Sequence, residues 1–320
     1  MYFVSESTAQ RVVTIQDAIQ TIETMFMEYA YGDAEVFLVA QGHGAAVGTS
    51  FSIKSGLLMR SEAVGLKVGS YWPENRALGM ASHASSTLLL DAHTGYAKAL
   101  VAASYLTGLR TAASDAVAVK HLSREDSHVL ALVGAGHQAW HEVCAVCAVR
   151  PIQRVLVCNR SQAGAMALAQ RIRENLSIDA EVLPIEEAIP QADIVVTVTA
   201  STQPLFDAAL VKAGTHISAM GADSPGKQEL DPELFRRANL FADVLTQAIS
   251  IGEFEKAYTG GLLDIKDITP LGAVLTGTTG RIEREQITVY DSSGMALQDI
   301  AIGELALRKA QEQGLAQSLA

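Results

Sequence analysis

The chain is short of positive charge, with 24 Lys and Arg residues against 35 Asp and Glu and a formal net charge of −11. A nucleic-acid surface needs grouped cations to neutralise phosphates, so that class of partner is excluded. No apolar run reaches the roughly eighteen residues of a membrane span, and Met1-Tyr-Phe-Val-Ser-Glu-Ser7 has neither the basic start nor the apolar core of a secretory leader. The expected location is the cytoplasm, with no membrane partner. Three cysteines (Cys144, Cys147 and Cys158) are too few for a disulfide framework. Cys144 and Cys147 fall inside a predicted helix, where they read as small residues packed on a sheet rather than as a redox pair or a metal site. No internal repeat and no low-complexity linker interrupts the sequence.

What is present is a large reserve of core-forming residues: 320 positions, of which 49% are hydrophobic and 18% charged. That is enough for two compact domains. The most informative stretch is Val129-Leu-Ala-Leu-Val-Gly-Ala-Gly-His-Gln-Ala-Trp-His-Glu142, an apolar run of strand length that meets Gly134-x-Gly136-x-x-Ala139 and then a helical pattern. Gly134 allows a tight strand-to-helix turn, Gly136 lets backbone N–H groups approach a pyrophosphate, and Ala139 lets the helix pack on the strand. The positive end of that helix then faces the phosphates. In this position the backbone of His137 matters more than its ring. A second strand, Arg154-Val-Leu-Val-Cys158, follows at the distance expected of a βαβ unit.

In an NAD-selective unit the second strand ends in an acidic residue that binds the ribose hydroxyls. Here the strand ends in Asn159-Arg160-Ser161. Arg160 can pair with a 2′-phosphate that a carboxylate would repel, and Asn159 and Ser161 can hydrogen-bond it, which favours NADP(H) over NAD(H).

Before this unit the pattern differs. From Thr14, a helix N-cap, apolar residues recur at Ile15, Ala18, Ile19, Ile22, Met25, Phe26 and Tyr29, one face of a helix. Short β-rich runs follow at Phe37 to Ala40, Gly48 to Ile53, Ala63 to Ser70, Ser86 to Asp91 and Ala97 to Ala102. They predict a mostly antiparallel sheet with one leading helix. After Tyr105 a helix runs to Leu122, and strands then alternate with helices from Val129 through Leu240, the pattern of a parallel, doubly wound sheet. A last strand, Gln286 to Asp291, leads into a helix from about Met295 to about Gln313. The boundary is expected near Ser123 to Ser127, dividing a domain over 1–124 from one over 125–294, with 295–320 returning to the first.

Three segments place charges among apolar or glycine neighbours. Lys67 alternates with apolar residues on a strand and shares a face with Gly65 and Gly69, as a binding cation or an edge charge. Arg110 stands in a small, apolar helix start, and its planar fork suits a carboxylate. Asp223 follows the strand His216 to Met220, at the carboxyl end where such sheets bind ligands, so it could exchange a proton with substrate. His216 itself reads as a core residue.

Together, Gly65-Leu-Lys67, Leu109-Arg-Thr-Ala-Ala113, Gly134-Ala-Gly-His-Gln138, Asn159-Arg-Ser161, Gly221-Ala-Asp-Ser-Pro-Gly-Lys-Gln-Glu-Leu230, Asp291-Ser-Ser-Gly294 and Gln298-Asp299 resemble the ornithine cyclodeaminase and mu-crystallin family of NAD(P)-dependent enzymes over nearly the whole chain. The resemblance implies a Rossmann-type doubly wound parallel sheet plus a second α+β domain for substrate binding and dimerisation, hence a homodimer. It implies that Lys67 and Arg110 bind a substrate carboxylate, that Asp223 is the acid/base, and that Thr111 helps hold the pyrophosphate with Gly134, Gly136, His137 and Gln138. Val198, Thr199, Ala200, Met220 and Ser292 to Gly294 would line the ribose and nicotinamide.

One departure stands out: cyclodeaminases of the family carry another arginine before the lysine strand, and 33–59 contains none. His43 or Lys54 could take its place. Gly69-Ser-Tyr-Trp-Pro-Glu-Asn75 and Ser250-Ile-Gly-Glu-Phe254 are similar to imine-reductase members, the iminosuccinate reductases among them. The expected reaction is therefore hydride transfer to the C=N carbon of a small α-imino acid, Δ1-pyrroline-2-carboxylate, Δ1-piperideine-2-carboxylate, iminosuccinate or a linear ketimine. His83 is a further candidate to touch substrate. A second substrate carboxylate would need another cation, with Arg76, Lys54 and His43 as candidates. The alternatives are an ornithine cyclodeaminase with bound NAD, an alanine dehydrogenase-like enzyme, and a mu-crystallin-like binding protein without catalysis.

Overall fold

The computed structural model describes residues 1–277 and 280–319; position 320, the end of the expected 295–320 segment, and positions 278 and 279 lie outside them. The chain forms two compact units, Met1–Arg110 with Met295–Ala320, and Thr111–Gly294. The division falls at Arg110/Thr111, earlier than the 124/125 read from sequence. Past Arg110 the helix is tied to the second unit: Ser114 Oγ meets Tyr290 Oη at 2.7 Å, and Arg150 Nη2 donates to the carbonyls of Val119 at 3.0 Å and Lys120 at 2.6 Å.

The first unit is a mixed sheet backed by helices. Strands β1 (Tyr2–Val4), β2 (Ala34–Val36), β3 (Ala40–Gly42), β4 (Ser50–Leu58), β5 (Ala63–Tyr71), β6 (His83–Leu90) and β7 (Ala97–Ala102) join the short strand Gln317–Ser318 in the order 317–318, β1, β7, β6, β5, β4, β2, with β3 also on β4. All neighbours are antiparallel except β1 and β7. Two helices lead, not one: α1 (Glu6–Val12), capped by Ser5, precedes α2 (Ile15–Ala30). With only Ala9 and Val12 buried, α1 offers too little periodicity to be read. At the start of α2, Thr14 and Asp17 satisfy each other's backbone N–H groups, while Ala18, Ile19, Ile22, Met25 and Phe26 are buried. No strand forms over Phe37–Val39. These apolar residues are exposed between β2 and β3, with no sheet partner beyond Phe37 N on Ser55 O.

The C-terminal helix, Ala296–Glu312, is buried along most of its length and packs on β4, β5 and β6. Pairing across β4, β5 and β6 puts Lys54, Lys67 and Thr87 in one row and on one face.

The second unit is an eight-stranded, wholly parallel sheet. Its strands are β8 (Val129–Val133), β9 (Arg154–Cys158), β10 (Asp179–Val182), β11 (Ile194–Thr197), β12 (His216–Ala219), β13 (Ala238–Ala242), β14 (Ile268–Pro270) and β15 (Ile287–Asp291), in the order β10, β9, β8, β11, β12, β15, β13, β14. Buried Val, Leu, Ile and Ala fill these strands, as a sheet covered on both faces requires. Helix α3 (Ser104–Leu122) precedes β8, α4 (His137–Val149) joins β8 to β9, and α5 (Gln162–Leu176) joins β9 to β10. This is a Rossmann-type fold. His216 is a satisfied core residue: Nδ1 lies 2.9 Å from Thr288 Oγ1 and Nε2 lies 3.1 Å from Ser218 Oγ. Burial, with help from the charges of Arg281 and Arg150, holds the ring well below its ordinary pKa. Among the described residues no helix is long and apolar enough to cross a membrane.

Candidate active site

In the first unit, β5 alternation turns Lys67 toward the buried face, and the C-terminal helix brings a carboxylate to meet it. Lys67 Nζ lies 2.9 Å from Asp299 Oδ1, and Arg110 Nε donates to the same oxygen at 3.1 Å. Arg110 Nη1 reaches Gln298 Oε1 at 2.6 Å. Arg110 lies in the second turn of α3, not at its start. Asp299 sits in the first turn of its helix, where a negative charge is favoured. Its Oδ2 is buried with no hydrogen-bond partner among the described residues.

Burial pushes the Lys67 ammonium down to about 8; Asp299 opposes that shift, and the charges of Arg110 and Lys54 add to it. Burial would raise Asp299, but Arg110 and Lys67 outweigh it and hold the carboxyl below its ordinary value. Lys54 is half-buried directly opposite Lys67. Like charges paired across a sheet repel, so this arrangement is kept at a cost in stability. Three cations thus share one carboxylate. An incoming carboxylate would be drawn to such a group, and its planar anion suits the guanidinium.

On the same face His83 pairs with Tyr71, their rings 4.6 Å apart. His43 is exposed after β3, with Nδ1 3.0 Å from Gly44 O. Arg76 donates to Ser82 Oγ at 3.2 Å. Of the three candidates for an additional cation, Lys54 is the one the strand register sets beside Lys67.

In the second unit, β8 is flanked by β9 on one side and β11 on the other, so the strand order reverses there and opens a crevice at the carboxyl ends. Gly134 has φ +119°, and a Cβ on it would stand 2.8 Å from Val198 O. Only glycine fits that turn. Gly136 is the N-cap of α4 and carries no side-chain cap, and nothing lies within 4 Å of where its Cβ would be. The start of α4, at His137 and Gln138, is thus not capped by the side chain of its N-cap residue, and the positive end of a helix suits an anion. Ala139 is fully buried. Beyond β9, Asn159, Arg160 and Ser161 are exposed; Asn159 Nδ2 donates to Ser161 O at 2.9 Å, and Ser161 caps α5. These features fit a dinucleotide.

Thr111 follows Arg110 in α3 and is half-buried. Val198, Thr199 and Ala200 continue from β11, and Met220 continues from β12 with 7% exposure. After β15, Ser292 Oγ and Gly294 N both donate to Asp243 Oδ2, at 2.9 and 2.8 Å. Asp223 projects from the loop after β12, its side chain 59% exposed and paired with Lys227, whose Nζ also donates to Gly221 O at 3.2 Å.

Several acidic groups were given no role from the sequence: Asp299, and the buried Glu229, Asp243, Glu253 and Asp291. Burial and neighbouring acids raise Glu253 and Asp291 well above the usual carboxylate range. The signal was an acid inside an apolar run, as in Leu240-Phe-Ala-Asp-Val244. Burial also pushes the thiols of Cys144, Cys147 and Cys158 up to about 11, 12 and 12, as in packed, unreactive cysteines. His141, its ring tilted 52° to that of His137 with centroids 5.2 Å apart, is pushed down to about 4 by burial and by the charges of His137 and Arg171. Among the described residues no group of three metal-ligating side chains forms.

Comparisons with known proteins agree with this architecture. The iminosuccinate reductase of Paracoccus denitrificans is 35% identical over 322 residues, covering 100% of this chain and 99% of the relative. Its crystal structure in complex with NAD+ superposes with a TM-score of 0.96 over 100% of this chain and 99% of its own. The Thermococcus litoralis Δ1-pyrroline-2-carboxylate reductase, solved with NADH and L-proline, is 30% identical with a TM-score of 0.94, each chain covered to 100%. An archaeal alanine dehydrogenase dimer with bound NAD is 31% identical with a TM-score of 0.95, over 100% of this chain and 99% of its own. The model of the ornithine cyclodeaminase/mu-crystallin family matches residues 3–314, and the chain belongs to that family.

Proposed function

We propose that the protein is an NAD(P)H-dependent reductase of the C=N bond of a small α-imino acid, with a dicarboxylic imino acid such as iminosuccinate the best fit. The observation that carries it is the row of Lys54 and Lys67 with Arg110 around Asp299. One carboxylate suits Lys67 and Arg110, and Lys54, opposite Lys67 in the same row, is placed to attract a second. The relatives that reduce iminosuccinate and Δ1-pyrroline-2-carboxylate support this chemistry.

Lys67 and Arg110 bind and orient the α-carboxylate, fixing the position of the imine carbon. Asp223 stabilises the protonated C=N group or relays its proton, and Lys227 steadies that carboxylate. Gly134, Gly136, His137, Gln138 and Thr111 hold the pyrophosphate, Asn159, Arg160 and Ser161 a 2′-phosphate, and Val198 to Ala200, Met220 and Ser292 to Gly294 the ribose and nicotinamide. When bound, the reduced nicotinamide supplies the hydride. The imine gains that hydride at carbon and one proton at nitrogen, becoming an amino acid while the dinucleotide is oxidised. Arg160 supports NADP(H) as the preferred form.

The protein works as a homodimer. Ile53, Leu57, Val64, Leu66, Val68, Leu88, Leu90 and Leu100 share the sheet face opposite Lys67 and are only partly buried in the single chain, so a second copy has an apolar surface to cover. Its three unpaired cysteines fit a reducing compartment, the cytoplasm.

The test is oxidation of NADPH and NADH against iminosuccinate, Δ1-pyrroline-2-carboxylate and Δ1-piperideine-2-carboxylate, with ammonia release from ornithine as control. Iminosuccinate should be the best substrate, and Lys54→Ala should impair it more than the monocarboxylates. Consumption of none of the imines would end the reductase reading, and equal losses on all substrates would remove Lys54 from the specificity argument.

A further inference from the structure

The reductase reading gives no task to the carboxylate of Glu229. Glu229 is fully buried, and each of its oxygens accepts one backbone N–H and one hydroxyl. Oε1 takes Thr199 N at 2.6 Å and Thr199 Oγ1 at 2.7 Å; Oε2 takes Gly221 N at 2.9 Å and Thr197 Oγ1 at 2.8 Å. Thr197 ends β11, and Gly221 follows β12 through Met220, so one side chain ties together two neighbouring strand ends. The approach is close enough to dictate the residue at 221. A Cβ there would stand 2.2 Å from Thr199 O and 2.6 Å from the Glu229 carboxyl.

Glu229 is itself fixed from below. Its backbone N–H and that of Leu230 donate to Glu253, the latter at 2.7 Å, and Glu253 N donates to Asp291 Oδ2 at 3.0 Å. The brace therefore reaches the end of β15. In a sheet of this order the adenosine half of a dinucleotide lies over β8, β9 and β10, and the other half lies over β11, β12 and β15. The strands that Glu229 and its support join are those of the second half.

We infer that Glu229 is a positioning residue that shapes the nicotinamide half of the site, holding the backbone of 197–199 and 220–223, and with it Asp223, without touching the reacting atoms. This rests on the proposed function. A glutamine at 229 has one acceptor oxygen for two backbone N–H groups on opposite sides, so whichever way it turns, one strand end is released.

The experiment measures dissociation constants of NADH, NADPH and ADP-ribose, which ends before the nicotinamide, for the unmodified protein, Glu229→Gln and Glu229→Asp. Glu229→Gln should weaken NADH and NADPH about 10-fold, one ordinary hydrogen bond's worth, and leave ADP-ribose within about twofold. Glu229→Asp, which keeps both acceptor oxygens, should recover part of the loss. At saturating cofactor, kcat should fall while KM for the imino acid moves little. Unchanged NADH and NADPH binding in Glu229→Gln would overturn the inference, as would an equal loss for ADP-ribose, the mark of general damage to the unit. Failure of the unmodified protein to bind any of the three would instead overturn the reading of the site as a dinucleotide site.

Discussion

Replacing Asp299 by Asn removes the one charge that Lys67 and Arg110 share while keeping the side chain's shape. At 2.9 and 3.1 Å, each contact is worth about 5–6 kcal/mol of attraction at an effective dielectric of about 20, before solvation is counted. Removing one partner of a buried pair costs a net of about 3–5 kcal/mol, because the remaining charges stay buried. In a unit of this size that lowers the midpoint of thermal unfolding by about 10 °C.

The pH dependence of binding gives a sharper signature. Lys67 titrates at about 8, so its charge is present below that pH and lost as pH rises through it. At pH 9 about one molecule in ten retains the charge, and KM for the imino acid should be about 10-fold above its value at pH 7. Asp299 is what holds this pKa up against burial, Arg110 and Lys54. In Asp299→Asn the rise in KM should therefore begin at lower pH, with KM already elevated at pH 7. The assay is initial-rate KM from pH 6 to 10 alongside thermal unfolding of both proteins. An unchanged midpoint together with an unchanged KM profile would refute the account of this cluster.

Three other outcomes are expected. Asp223→Asn should lower kcat about 100-fold with little change in KM, read from steady-state rates at saturating cofactor. Arg160→Ala should weaken NADPH binding about 10-fold and leave NADH binding nearly unchanged, as measured by fluorescence titration. Leu66→Glu, placed on the partly buried apolar sheet face, should shift the protein from dimer to monomer in sedimentation velocity.

The second unit was readable because each of its signals is local. A buried parallel strand is a continuous apolar run, and the Gly134 turn is a backbone requirement that leaves glycine in the sequence. Lys67 could be picked out because strand alternation made it an anomaly. Its partner was not legible in the same way. Asp299 lies far along the chain, and nothing local says that the C-terminal helix delivers it to β5. Glu229 was part of a recognisable segment, yet its role depends on three strand ends meeting in space. The errors in the first unit have a similar origin: Phe37–Val39 has the composition of a strand but no neighbour to pair with, and α1 is held by packing rather than by a visible stripe. The unit boundary fell inside one continuous helix, where composition does not change.

The most direct test follows the hydride. Reduced cofactor carrying deuterium at C4 is incubated with the imino acid, and the amino acid formed is examined by mass spectrometry and NMR. The account predicts one deuterium at Cα, with one dinucleotide oxidised for each amino acid made. Product formed without deuterium, or release of ammonia with no net oxidation of the dinucleotide, would contradict it.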